Sequence, residues 1–201
     1  MNGTGSRRVV PARHWYREQD CSLLEFTDGL RPHPNGASLR FASGTCEHVP
    51  IYDCRQLAGD LEDISRRAEL QAEWANVLNT GAGVLVLKHA YVDTTPIDEA
   101  TNVFESVIHE EREAGGSPAD HFAKAGANDR IWNAQEKLCL RAPEVFARYY
   151  ANTALCGIAE AWLGPHFQMT SQVNVVRPGG QAQHAHRDYH LGFQPVEQAE
   201  R

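Results

Sequence analysis

Four residues near the carboxyl end of the sequence have the chemistry to bind a metal ion. In the stretch QAQHAHRDYHLGFQ, residues 181–194, His184, His186, Asp188 and His190 occupy every second position. In an extended strand this period places side chains on one face, where a simple core has no reason to collect imidazoles and a carboxylate. The spacing therefore predicts a metal site on a strand. The other histidines are isolated and are interpreted as surface or hydrogen-bonded core residues: His14, His33, His48, His89, His109, His121 and His166.

The order of these residues favours iron over other metals. His186 and Asp188 form an H-x-D pair, which together with a distant histidine makes the facial triad of non-haem Fe(II) oxygenases. The H-x-H pair of His184 and His186 resembles the motif of metal cupins, but the positions of the cupin glutamate hold His190 and Leu191. A closed zinc site is disfavoured because each two-residue step spans about 6.5 Å, too far for one strand to surround an ion. His184 and His190 are therefore interpreted as neighbours of the metal rather than ligands.

Two extended segments are predicted to position these residues. Over residues 167–193 the two-residue period replaces the helical one, and a Pro-Gly-Gly sequence at 178–180 permits a tight reversal. On the first segment, Gln172, Asn174 and Val176 share one face and the alternate residues share the other.

Upstream, the apolar periodicity predicts three helices and one buried strand. The first helix covers 57–79, and the buried strand follows at 83–91. The second helix has Thr95 as its N-cap and Pro96 at its first position, and its buried stripe is Ile97, Ala100, Phe104, Val107 and Ile108. The third covers 143–163, with these packing candidates: Phe146, Tyr149, Tyr150, Thr153 and Trp162.

Length, charge and cysteine content predict a single soluble domain in the cytoplasm. The chain has 201 residues, a net charge of −7 and few lysines, which argues against nucleic acid or anionic lipid as a partner. Its longest apolar run, GVLVL at 83–87, is too short to cross a membrane, and no secretory signal precedes it. Five cysteines without a C-x-x-C pair suit reduced thiols. Residues 1–50 lack periodicity and are predicted to be an irregular lead-in.

The carboxyl-terminal run resembles a known enzyme family. VNVVRPGGQAQHAHRDYHLGF, residues 173–193, is similar to the phytanoyl-CoA dioxygenase family of Fe(II)- and 2-oxoglutarate-dependent oxygenases, in which a strand and a turn precede an H-x-D-x-H run. The resemblance implies an α+β fold with helices packed on a double-stranded β-helix, or jelly roll. It also implies that His186 and Asp188 bind iron and that Gln172 and Asn174 are pocket residues for the cosubstrate or substrate. The reaction would be the hydroxylation of a small organic substrate with dioxygen.

Two features that the resemblance implies are missing from the end of the chain. The family has a third histidine ligand downstream of H-x-D and then an arginine for the far carboxylate of 2-oxoglutarate, but this sequence has no histidine after His190 and only Arg201 after Gln194. Residues 51–201 are therefore expected to be the front part of such a domain, lacking its distal half and inactive alone. The alternative is a non-catalytic remnant or assembly module that retains partial metal binding, and a metal cupin ranks third. Unpaired strands would favour self-association.

Overall fold

The computed structural model describes Arg17, Gln19 and residues 21–29, 39–115 and 127–180. The chain divides into two compact units, Met1–Arg31 with His184–Arg201 and Pro32–Gln183. In the first unit the described part contains a helix, α1 (Leu23–Gly29), whose apolar side chains are exposed.

The second unit combines helices with two small sheets, and the α+β class predicted from the sequence is thus observed. β1 (Gly44–Cys46) runs antiparallel to β2 (Val49–Asp53), and β3 (Val86–Lys88) runs parallel to β2. β4 (Asn128–Ile131) and β5 (Val173–Val176) form a separate antiparallel pair. Within the described residues neither sheet closes, and they do not by themselves form a jelly roll. In chain order the elements are β1 (Gly44–Cys46), β2 (Val49–Asp53), α2 (Ala58–Glu62), α3 (Ile64–Asn79), β3 (Val86–Lys88), α4 (Thr95–Glu113), β4 (Asn128–Ile131), α5 (Ala134–Arg141), α6 (Pro143–Tyr150), α7 (Thr153–Leu163) and β5 (Val173–Val176).

A first core lies between the three-stranded sheet and helices α2, α3 and α7. At its centre the buried ring of Trp74 on α3 meets Tyr52 of β2 edge to face, with centroids 5.9 Å apart. The Tyr52 hydroxyl donates a hydrogen bond to Glu73, and burial together with this carboxylate raises the pKa of Tyr52. Gln71 on α3 donates to Glu160 on α7 at 2.8 Å. The first core therefore combines apolar packing with directional contacts between its elements.

A second core joins α4, α5 and α6 to the β4–β5 pair. Most of the stripe predicted for α4 is confirmed, and Ile97 is only half-buried. From the strand pair, Ile131 is buried and Val173 and Val175 pack against the same cluster. Because one face of the strand pair is covered by helices, its other face is left for other contacts. The buried members of this core are Ala100, Phe104, Val107, Ile108, Ile131, Ala134 and Leu138.

Two of the predicted helices are each interrupted, so their prediction as single helices was wrong. Asp63 separates α2 from α3 with an extended backbone, and its side chain accepts a hydrogen bond from the Arg66 amide. Asn152 separates α6 from α7, accepts from the Leu155 amide and donates to the Ala90 carbonyl. An Asp or Asn side chain that caps the next helix competes with continuation of the previous one.

Burial and caps also differ from the predictions at particular residues. Trp162, a predicted packing residue, is 53% exposed because the break before α7 resets the phase of that helix. α4 does begin at Thr95 with Pro96 in its first turn, but its N-cap is Thr94, and Asp93 accepts hydrogen bonds from Thr95. The buried strand predicted for 83–91 is reduced to β3, whose Val86 is 43% exposed.

Several short elements were not predicted at all, namely β1, β2, β4 and α5. Strands of three to five residues offer too few positions for a two-residue period to emerge. All five cysteines lie in the described residues as free thiols. None of the helices that the structure describes is long and apolar enough to cross a membrane.

Candidate functional site

The residues of the predicted metal site, His184, His186, Asp188 and His190, lie outside the described residues. Where the structure does describe the chain, no group of three or more His, Cys, Asp or Glu side chains could hold a metal ion. The assignment of His186 and Asp188 as ligands therefore stays a prediction from the sequence.

In the sequence, β5 ends eight residues before His184. The register of its pairing with β4 defines the two faces of the strand pair. Arg130 lies opposite Asn174, and Ile131 lies opposite Val173. Residues directly opposite each other in an antiparallel pair share a face. Ile131 and Val173 face the second core, so Arg130 and Asn174 belong to the outer face. The alternation predicted for β5 is observed, since Asn174 and Val176 are exposed while Val173 and Val175 are half-buried.

The outer face of this pair carries a polar cluster built around a guanidinium group. The Arg130 guanidinium donates from Nε and Nη2 to Gln172 Oε1, at 3.0 and 2.5 Å. It also lies over the ring of Trp132, 4.1 Å from the centroid, in a cation–π contact. Asn174 is the strand partner of Arg130. The outer-face cluster, defined as Arg130, Trp132, Gln172 and Asn174, therefore presents one cation, two amides and an aromatic surface.

Gln172 and Asn174 are the residues predicted for the cosubstrate or substrate pocket. Gln172 accepts hydrogen bonds from Arg130, and Asn174 lies opposite Arg130 in the strand register. Sequence reasoning did not find Arg130 or Trp132. The run NDRIW, residues 128–132, shows no two-residue alternation, because Asn128 and Asp129 are both polar and both buried. A run this short is too weak a signal to distinguish a strand from a loop.

Arg177, the first residue after β5, forms an ion pair with Asp129 of β4. Its Nε donates to Asp129 Oδ2 at 2.7 Å. Its guanidinium is therefore already paired with a buried carboxylate.

A surface groove of about 330 Å³ lies on the helical side of the unit, at the start of α7. Tyr150 connects it to the strand pair, because its hydroxyl lies 2.5 Å from Ser171 Oγ, beside Gln172. Burial and the nearby Glu160 raise the pKa of the Cys156 thiol, so this group stays protonated at neutral pH and is a poor nucleophile. The lining residues are Arg67, Tyr150, Ala151, Asn152, Thr153, Cys156, Gly157 and Glu160.

A separate polar cluster forms where the parallel strands β2 and β3 end. Asp53 accepts from the backbone and guanidinium of Arg55, and Oδ1 lies 2.9 Å from His89 Nδ1. The hydrogen bond from Arg55, with help from His89, lowers the pKa of Asp53 to about 2. His89 is thus hydrogen-bonded, as interpreted for the isolated histidines, and its partner is a carboxylate that stays ionised.

Comparison with known proteins gives one match. A sequence model described as Phytanoyl-CoA dioxygenase (PhyH) matches residues 53–200. No curated protein and no solved structure matches the chain at a significant level. The matched range includes the second core, the strand pair, the H-x-D run and most of the first core, but not Tyr52 or β1.

Proposed function

Because the chain belongs to the phytanoyl-CoA dioxygenase family, we propose that it is an Fe(II)- and 2-oxoglutarate-dependent dioxygenase that hydroxylates a small organic substrate. In this reaction one atom of dioxygen enters a C–H bond of the substrate as a hydroxyl group. The other enters the succinate that 2-oxoglutarate forms as it loses carbon dioxide. The strand pair β4–β5 would then be part of the jelly roll that the family resemblance implies.

One observation carries the proposal. The family match spans residues 53–200, and it contains an H-x-D pair, His186 and Asp188, six residues after the Gly180 turn. A neutral imidazole and a carboxylate at this spacing suit Fe(II), which takes nitrogen and oxygen ligands in the facial arrangement. His186 and Asp188 would hold the iron, which supplies the activation of dioxygen when bound.

The outer-face cluster supports a cosubstrate role for the strand pair. 2-Oxoglutarate carries two carboxylates, and one of them needs a cation beyond the metal. Arg130 carries a guanidinium, a group that pairs with carboxylates in planar geometry, and its Nε and Nη2 already donate to Gln172. Trp132 supports that guanidinium from one side, and Gln172 holds it by hydrogen bonds. Gln172 and Asn174 add amide groups that can bind carboxylate or carbonyl oxygens.

Metal titration tests the ligand assignment. We expect the purified chain to bind Mn(II), a substitute for Fe(II) that oxidises less readily, and His186→Ala and Asp188→Ala to weaken this binding by more than about 10-fold, since even outer-shell changes reach that size. His166→Ala is the matched control, because His166 is exposed in the turn after α7. Equal affinity in all four proteins, measured by calorimetry, would overturn the proposed site.

The cosubstrate assignment is tested by titrating 2-oxoglutarate in the presence of Mn(II). Binding at the outer-face cluster should change the fluorescence of Trp132, because the indole stacks on the guanidinium that would receive the carboxylate. Arg130→Met should abolish that change and weaken binding, and Gln172→Ala should weaken binding less. Arg148→Met, which removes a guanidinium paired with Glu99 on the helical side, is the control. Binding unaffected by Arg130→Met would assign the carboxylate to another cation.

A further inference from the structure

The groove at the start of α7 is lined by one cation and one anion that do not pair with each other. Arg67 on α3 and Glu160 on α7 both line it, and both are half-buried. Within the described ranges neither side chain takes part in an ion pair. Two opposite charges that line one groove and remain apart are both available to a ligand.

The contacts of Glu160 fix its position without neutralising its charge. Gln71, one turn after Arg67 on α3, donates from Nε2 to Glu160 Oε2 at 2.8 Å and to the Gly157 carbonyl at 3.2 Å. The Cys156 thiol lies 3.9 Å from Glu160 Oε1. Both donors are neutral groups. The carboxylate is therefore held at the contact between α3 and α7 and keeps its negative charge uncompensated.

Both charged groups act at the same part of the groove. Burial and Glu160 raise the pKa of the Cys156 thiol, and the positive charge of Arg67 opposes this rise. Each charge is therefore close enough to this thiol to influence it. Asn152, beside Thr153 in the lining, is buried, and both ends of its amide are hydrogen-bonded within the fold. The wall of the groove next to the charged pair is thus fixed before any ligand binds.

We propose that this groove binds a small zwitterion, an amino acid whose carboxylate pairs with Arg67 and whose ammonium group pairs with Glu160. A guanidinium binds a carboxylate through parallel hydrogen bonds, and an ammonium group donates to a carboxylate. Glu160 would repel a simple anion and Arg67 a simple cation, so the groove favours a molecule with both charges. Its volume of about 330 Å³ is at the lower end for ligand sites and suits so small a molecule. The inference is independent of the proposed function, because it uses none of the residues of that site.

Titration with amino acids of different length tests the ligand class. Glycine, β-alanine and 4-aminobutanoate carry the same two charges at increasing separation. We expect at least one of them to bind the full chain and to shift the NMR amide signals of Thr153 and Cys156, which line the groove. Butanoate and butylamine each carry only one of the charges. They should bind more weakly than the best amino acid by more than about 10-fold, the loss of one charge-assisted contact.

Charge-removing variants test the two contacts separately. Arg67→Met and Glu160→Gln should each weaken binding of that amino acid by more than about 10-fold. Glu160→Gln keeps an oxygen that can accept from Gln71, so the side chain should stay in place. Neither variant breaks an ion pair, so both should keep the urea unfolding midpoint of the wild-type chain. Arg66→Met is the matched control, because the neighbouring guanidinium is paired with Asp60 and does not line the groove.

Several results would overturn the inference. Absence of binding by all three amino acids would do so, as would wild-type affinity in Arg67→Met. If butanoate bound as tightly as 4-aminobutanoate, Glu160 would have no part in binding and the zwitterion would be the wrong ligand. Equal weakening by Arg66→Met and Arg67→Met would show that binding follows the overall charge and not the groove. Should Arg67→Met not fold, as judged by circular dichroism, Glu160→Gln decides, and wild-type affinity in that variant would refute the proposal.

Discussion

Two aspartates of this protein, Asp53 and Asp129, each contact two basic side chains, but they do so in different ways. Asp53 is 14% exposed and pairs with Arg55 two residues later and with His89, the first residue after the adjacent strand β3. Asp129 is 1% exposed, and its two arginines, in the last turn of α4 and just after β5, come from positions 17 and 48 residues away. One carboxylate organises a strand end, and the other joins a helix and two strands.

The comparison shows that the effect of an ion pair on the fold depends on its burial and on the separation of its partners along the chain. Water near Asp53 can replace a lost partner, and Arg55 lies only two residues from Asp53 in the sequence. The main effect of this cluster is therefore to lower the pKa of Asp53. Solvent cannot replace a partner of Asp129, so that cluster constrains the relative positions of the elements it joins.

The largest expected effect is the loss of the buried carboxylate. Asp129→Asn should lower the free energy of unfolding at pH 7 by about 3 kcal/mol, the lower end for breaking a buried pair, because the two orphaned arginines retain access to water. Asp53→Asn should cost clearly less under the same conditions. Chemical denaturation of both variants checks the comparison, and equal losses would show that burial does not separate the two clusters.

A steric change tests whether the Asp129 region also depends on close backbone approach. Gly180→Ala would place a Cβ 2.2 Å from Asn128 Oδ1 and 2.8 Å from the Ala127 carbonyl. We expect a loss of about 1–3 kcal/mol, typical of overpacking. Gly44→Ala on β1 is the control, since its Cβ would meet no atom within 4 Å. A stability of Gly180→Ala equal to that of Gly44→Ala would show that the turn can move off β4.

Lowering the pH should remove the contribution of Asp53 to the stability of the fold, which is smaller than that of Asp129. Its pKa falls from 3.8 to about 2 in the folded chain, so it stabilises the fold above its usual pKa, and that contribution is lost as the pH falls from about 4 towards 2. The difference in unfolding midpoint between the wild-type chain and Asp53→Asn should therefore shrink over this interval. A difference that stays constant down to pH 2 would contradict the lowered pKa.

The smallest effect concerns the pKa alone. Arg55→Met should raise the pKa of Asp53 back towards its ordinary value, because Arg55 is the largest cause of the shift. The unfolding midpoint at neutral pH should change little, since Arg55 is 57% exposed. NMR titration of the Asp53 carboxyl carbon measures the shift. Arg40→Met, which breaks an exposed pair with Glu69, should leave it unmoved.

The sequence alone was sufficient to predict an element and its buried face where a long periodic pattern agreed with the burial in the structure. The apolar stripe of α4 extends over a 19-residue helix, and the α+β class that the family resemblance implied is observed. The alternation of Gln172, Asn174 and Val176 with the valines between them also matched the structure. The family was recognised from the H-x-D run and its preceding turn, which the match over 53–200 confirms.

Other features were decided by tertiary structure. Asp63 and Asn152 break helices that apolar periodicity alone would continue, because their side chains cap the next helix and, for Asn152, bond to the Ala90 carbonyl 62 residues away. The burial of Asp129 and the contact of Arg130 with Gln172 depend on pairing β4 with β5 across 42 to 48 residues. Propensity and periodicity act within a few residues, whereas the energy of a charge depends on which groups the packed chain places beside it and on how much water it excludes.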